Sequence, residues 1–258
     1  MRAFLKASEK ALAAALPSAL YFPLQDFVRP RLDQRVSGRG RTVRTRGTAY
    51  EVEWANGTRF RFPHKLRYCR YMHPDGLEHI LDQMLAKYQD GPVQIEPGDV
   101  VFEVGGNAGE FTLAALRKGA KVTTAEPDPN AFDCLVCNAP DASALALAVG
   151  DRDGTALINL STAGADSSLI NASSKKAVVP IRTIATLMPD GADFLKIEAE
   201  GFEPEVLKGA VPVLDRVRKI AIDCGPERHG QPTFEECEAI LSGRFRTWRK
   251  GYILFAHK

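Results

Sequence analysis

The chain has 258 residues, 45% hydrophobic and 26% charged, with five cysteines. That balance excludes a disordered polypeptide, a collagen-like repeat and a disulfide scaffold, while the length suits a single decorated α/β domain. The net charge of +2 hides an asymmetry: residues 1–70 hold 15 Lys/Arg against 5 Asp/Glu, and residues 71–258 hold 19 against 27.

At the N-terminus, Arg2, Lys6 and Lys10 beside the alanine-heavy run 11–16 imitate the start of a secretory signal. Glu9 interrupts the charge and Pro17 ends the run, so a short amphipathic helix with Leu5, Leu12 and Leu16 on one side is the better reading. No stretch approaches the roughly 18 apolar residues of a membrane span. Cys69, Cys134, Cys137, Cys224 and Cys237 are odd in number and lack framework spacing, which implies free thiols and a cytoplasmic protein. Cys134 and Cys137 form a C-x-x-C inside a helical segment with no second pair for zinc, and burial explains them best.

A basic stretch covers residues 29–70. Within it, alternating residues 50–54 and 58–62 flank Asn56-Gly57, a pair that tolerates the positive φ of a hairpin turn. The arginines form either a solvated face or a surface that attracts an anionic substrate, nucleic acid or lipid headgroup. Residues 76–88 place Leu77, Ile80, Leu81, Met84 and Leu85 at helical spacing. Pro92 and Pro97-Gly98 mark a boundary, so residues 1–92 are expected to form an extension (a lid, a substrate contact or an oligomer contact) before a domain at 93–258.

From there, strands are expected at 99–104, 121–125, 144–149, 156–160, 178–182, 192–198 and 218–223. Helices are expected at 108–118, 130–138, 204–214 and 234–241, and a closing hairpin at 244–248 and 252–256 turns around Lys250-Gly251. This alternation predicts a mostly parallel sheet with helices on both faces.

Val101-Phe-Glu-Val-Gly-Gly-Asn-Ala-Gly-Glu110 delivers a strand through a glycine-rich turn into a helix. Gly105 and Gly106 allow backbone to approach a ligand, Gly109 permits close helix–strand contact, and Glu103 sits at the strand end. Glu126 ends the next strand, where a carboxylate can accept from both hydroxyls of a ribose. A dinucleotide would want G-x-G-x-x-G; this chain has Gly105-x-Asn107-x-Gly109, which suits S-adenosylmethionine, a ligand with a cationic amino group and no pyrophosphate. Pro127, Asp128 and the Gly150-Asp151 pair after the third strand complete the candidate cofactor set.

Glu103 to Gly109, Glu126-Pro-Asp-Pro129, Asn138, the block Asp193-Phe-Leu-Lys-Ile-Glu-Ala-Glu-Gly-Phe-Glu203 and Val206-Leu-Lys-Gly-Ala210 resemble FkbM-type methyltransferases in kind and order. The resemblance runs over about residues 93–225. It implies a class I, Rossmann-like methyltransferase fold with a seven-stranded sheet, and S-adenosylmethionine-dependent methyl transfer, often to a hydroxyl on a sugar or natural product. The family usually carries aspartate at the positions of Glu103 and Glu198, and alanine at that of Gly106.

Lys196, Glu198 and Glu200 alternate at the end of one strand, facing the crevice where open α/β sheets bind ligands, and Asp223 ends the neighbouring strand. Glu198 or Glu200 could orient or deprotonate a hydroxyl, or Glu198, Glu200 and Asp223 could hold Mg²⁺. Lys196 would neutralise the carboxylates or polarise the acceptor, His229 is a second candidate base, and Glu203 serves its helix N-terminus. The leading expectation is O-methylation of a sugar, glycan or related metabolite, anionic or neutral, by a monomer or homo-oligomer. RNA methylation through the arginines, and a non-catalytic cofactor-binding module, are the alternatives.

Overall fold

The computed structural model describes residues 11–33, 35–160, 167, 169–170 and 175–258. Leu5, on which part of the N-terminal amphipathic reading rests, lies outside them. A helix α1 (Ser18–Leu32) leads into an antiparallel sheet β1 (Arg41–Arg46), β2 (Ala49–Trp54) and β3 (Arg59–Phe62). A 3₁₀ helix (Lys65–Met72) and α2 (Gly76–Tyr88) complete this region.

The hairpin turns where Asn56-Gly57 predicts it, with Gly57 at φ 81°. Strand β1 is absent from the sequence expectations because its arginines mask the alternation. Cross-strand charge pairs hold it: Arg46 and Arg61 both reach Glu51, and Arg44 and Arg59 both reach Glu53.

The main sheet comprises β4 (Val100–Val104), β5 (Lys121–Ala125), β6 (Ser143–Leu145), β10 (Ala192–Ile197), β11 (Val217–Asp223), β12 (Arg246–Lys250) and β13 (Ile253–His257). Its order is β12-β13-β11-β10-β4-β5-β6. The five strands from β11 to β6 run parallel, and β13 and β12 join antiparallel. The buried run Val101–Val104 and its equivalents in β10 and β11 are what strands covered on both faces require. Helices α3 (Glu110–Arg117) and α4 (Pro129–Asn138) follow β4 and β5; α5 (Ile184–Leu187), α6 (Glu203–Ala210) and α7 (Phe234–Leu241) lie between later strands.

Two expectations need correction. The single strand at 144–149 is two: β6 stays in the main sheet, while β7 (Ala148–Val149) pairs with β9 (Lys175–Arg182), itself paired with β8 (Gly154–Leu160). The break comes where the Leu145 carbonyl accepts from both Glu126 N and Leu147 N, which turns the chain out of the sheet. The helix at 204–214 is α only to Ala210 and continues as 3₁₀ over Val211–Arg216, where Pro212 has no N–H to donate.

The N-terminal region shares a hydrophobic cluster with the main sheet's helices. Tyr21, Phe22, Phe62, Tyr68 and Tyr71 pack in one group with Ala108, Ala114 and Cys134. Asn138, at the end of α4, accepts from Arg61 N (2.8 Å) and donates to the carbonyls of Arg61 (2.8 Å) and Ala108 (2.7 Å). All five cysteines are free. No helix of the described residues is long and apolar enough to cross a membrane.

Candidate active site

The turn after β4 is tethered to β5: the N–H groups of Gly105 and Gly106 donate to the Ala125 carbonyl at 2.9 and 3.1 Å. Gly105 has φ 81°, and a Cβ there would collide with the Glu198 carbonyl, so only glycine lets β4 and β10 end this close together. A Cβ on Gly106 would collide with the Thr124 hydroxyl and a Leu135 methyl, which explains glycine where the family usually has alanine. Asn107 adopts φ 49°, and its Oδ1 is buried without a partner among the described residues.

Glu126 is 7% exposed and accepts from Asn107 N (2.7 Å) and Asp128 N (2.8 Å). Burial pushes its carboxyl up to about 7, against the pull of those two N–H groups. Asp128 caps α4 by accepting from Asn130 N at 2.9 Å, and Ser167 Oγ donates to its other oxygen. Glu103 is buried against Thr112 and Lys196; burial raises its carboxyl above the ordinary range although both partners oppose the shift.

At the end of β10, Lys196 is 1% exposed and donates to the Gly105 carbonyl (2.7 Å) and Glu103 (3.3 Å), with Glu198 at 3.1 Å. It ties the ends of β4 and β10 together, and its donors are directed at these protein oxygens. The sequence expectations miss Lys87, from the last turn of α2, which bridges Glu198 (2.9 Å) and Asp223 (2.7 Å). The ring of Tyr88 lies 4.7 Å from the Lys87 ammonium and 5.2 Å from that of Lys196. Burial alone would raise the Glu198 carboxyl, but the two ammoniums hold it well below the usual carboxylate range.

The remaining expectations divide. Glu200 lines the cleft, yet not by strand alternation: β10 stops at Ile197, and Glu200 takes φ 52° in the turn before Gly201. Glu203 is buried and accepts from Ala199 N (3.0 Å), Gly201 N (2.9 Å) and the Thr233 hydroxyl (3.0 Å), so it shapes that turn. Burial raises its carboxyl to about 7. His229 is exposed at φ 53° in the loop after β11 and does not line the cleft. Asp223 does not line the cleft, and Lys87 joins it to Glu198.

Gly150 and Asp151 fall outside the lining, although Leu147, Ala148 and Val149 just before them belong to it. Gly150 packs tightly under Ile181 and Phe202, and Asp151 pairs with Arg152 at the surface. The Mg²⁺ expectation fails on the donor set. The Lys87 ammonium occupies the space between Glu198 and Asp223, Lys196 covers the other Glu198 oxygen, and among the described residues these carboxylates do not converge on one point.

Cleft walls therefore come from two sources. The ends of β4, β5 and β10 supply Glu103, the Gly105 turn, Glu126, Asp128, Glu198 and Glu200; the N-terminal region supplies Pro63, His64, Arg67, Arg70, Met84 and Lys87. The donor set on the first wall fits S-adenosylmethionine. Glu126 could accept from ribose hydroxyls, Asp128 could lie beside a cationic ligand group, and the glycine turn leaves room for close backbone approach.

A family model described as "Methyltransferase FkbM domain" matches residues 103–254. No curated protein sequence matches the chain. Among solved structures, an FkbM methyltransferase from Methylobacillus flagellatus aligns at 15% identity and TM-score 0.48, over 70% of this chain and 58% of its own. The chain thus spans somewhat more than half of that protein. Aeropyrum pernix fibrillarin with bound S-adenosyl-L-methionine aligns at 11% identity and TM-score 0.40, over 83% of this chain and 97% of its own. The Thermus thermophilus 16S rRNA N2 G1207 methyltransferase aligns at 17% and 0.41, over 92% and 62%.

Proposed function

Because the chain belongs to the FkbM methyltransferase family, we propose that it transfers a methyl group from S-adenosylmethionine to a hydroxyl on a sugar, glycan or related metabolite. The observation that carries the reading is the pairing, in one cleft, of a glycine turn and ribose-ready carboxylate (Glu126) with an ionised carboxylate (Glu198) at the next strand end. When bound, the cofactor supplies a methyl group made electrophilic by its sulfonium.

The chain's own groups would divide the remaining work. Glu126 holds the ribose, releasing its two backbone N–H contacts or sharing them. Glu198, kept ionised by Lys87 and Lys196, accepts a hydrogen bond from the acceptor hydroxyl and fixes its direction; a carboxylate held so low takes up a proton poorly. Glu200, which lines the same cleft, would take the hydroxyl proton as the oxygen bonds to the methyl carbon and the carbon–sulfur bond breaks. Alignment for an in-line displacement accounts for much of such catalysis. Residues 93–258 carry this chemistry in the proposal, and residues 1–92 supply the acceptor-facing wall.

The nucleic-acid reading rests on the N-terminal arginines. Of these, Arg44, Arg46, Arg59 and Arg61 are engaged by Glu51 and Glu53, Arg35 by Asp33 and Arg41 by Asp26. Their free charge toward a phosphate backbone is correspondingly small. The test is transfer of label from methyl-labelled S-adenosylmethionine into cell extract fractionated as glycan, lipid, RNA and small molecules. Label in a base-stable ether of a glycan or small hydroxylated compound is expected. Label confined to RNA, or none despite cofactor binding, overturns the proposal.

A further inference from the structure

The 3₁₀ helix Lys65–Met72 repeats every three residues, so side chains three apart stand one above another. One column, Tyr68 and Tyr71, is fully buried. Another, Arg67 and Arg70, with His64 just before the helix at the same spacing, lines the cleft. Arg67 is 10% exposed at its side chain, spends one nitrogen on Glu110 at 2.7 Å, and leaves its Nε buried without an acceptor. Arg70 is exposed at the cleft, and its guanidinium has only the sulfur of Met84 at 3.8 Å. Among the described residues no carboxylate pairs with it.

Seven other arginines in this part of the chain each have a carboxylate partner. Arg70 has none among the described residues, and it lines the cleft beside Arg67. A planar guanidinium matches two oxygens of a phosphate or carboxylate at once, and such contacts are the stronger class of hydrogen bond. Glu103, Glu126 and Asp128 line the same cleft; with the cofactor on those groups, as proposed above, the basic column is left for the acceptor.

We propose that the His64–Arg67–Arg70 column is a subsite for an anionic group, a phosphate or carboxylate, carried by the methyl acceptor beside its reacting hydroxyl. This rests on the methyltransferase reading above but is measured without turnover. The protein loaded with S-adenosylhomocysteine is titrated calorimetrically with glucose, glucuronate, glucose 6-phosphate and inorganic phosphate, as wild type, Arg70→Ala and Arg39→Ala. Arg39 lies in the same basic stretch but outside the cleft lining and controls for net charge.

Saturable binding of an anionic sugar about tenfold or more tighter than glucose is expected, lost by about tenfold in Arg70→Ala and kept in Arg39→Ala. Preference for glucuronate over glucose 6-phosphate, or the reverse, identifies which anion the column reads. The subsite is overturned if no anion binds, if glucose binds as well as the charged sugars, or if Arg70→Ala binds them like wild type. Failure of methyl transfer into every extract fraction would instead strike the parent reading.

Discussion

Two lysines are buried in adjacent strands of one sheet, and they sit at opposite edges. Lys219, near the start of β11, is 2% exposed and donates to Asp99 (2.6 Å) and the Gln94 carbonyl (2.8 Å). Lys196, near the end of β10, is 1% exposed and faces Glu103, Glu198 and the Gly105 carbonyl. Each ammonium is neutralised, as burial demands. The difference is what lies beyond. Lys219's partners lie outside the cleft described above, whereas Lys196's partners are themselves cleft walls. The rule that open α/β sheets bind ligands outside the carboxyl ends of their strands separates the two lysines where residue type and burial do not.

The comparison breaks first under mutation. Lys219→Met and Lys196→Met should each cost about 3–5 kcal/mol by chemical denaturation, because each takes from a buried carboxylate its closest cation. Only Lys196→Met should also weaken cofactor binding by the folded protein, since it frees the Gly105 turn. Equal cofactor affinity in both variants would erase the distinction between the edges.

A pH titration sharpens it further. The Glu126 carboxyl, raised to about 7 by burial, binds its proton more tightly folded than unfolded. Its ionisation therefore costs stability as pH rises through about 7, while protonation below that removes the acceptor that ribose hydroxyls need. Cofactor affinity should fall by up to about tenfold for each pH unit below about 7, a dependence that Glu126→Gln should flatten. No comparable slope is expected from the Lys219 edge. The smallest effect belongs to the N-terminal sheet: Arg59→Ala loses an exposed pair to Glu53 and should cost no more than about 1 kcal/mol in thermal unfolding.

Legibility in the sequence followed contact range. The strands of the main sheet showed as apolar runs, and the glycine turn with Glu126 showed because one local segment builds it. Lys87 did not, since its partner Glu198 lies 111 residues away and a lysine on an amphipathic helix carries no mark of its destination. His64, Arg67 and Arg70 were hidden within a generally basic stretch, because only the 3₁₀ repeat separates the cleft-facing column from its neighbours. Strand alternation misdirected twice: it ran β6 through into β7, which brought Gly150 and Asp151 into the cofactor set, and it carried β10 on to Glu200 past a left-handed turn. His229 looked available from sequence for want of any local partner; the fold turns it to solvent.

The central claim is that the cleft between the Gly105 turn and Glu126 binds S-adenosylmethionine. Equilibrium binding of the labelled cofactor to the wild-type chain and to Glu126→Ala tests it most directly. Saturable binding that weakens by about tenfold or more in the variant, through loss of charge-assisted hydrogen bonds, is the expected result. Equal affinity in the two proteins, or no saturable binding to the folded wild type, would contradict it.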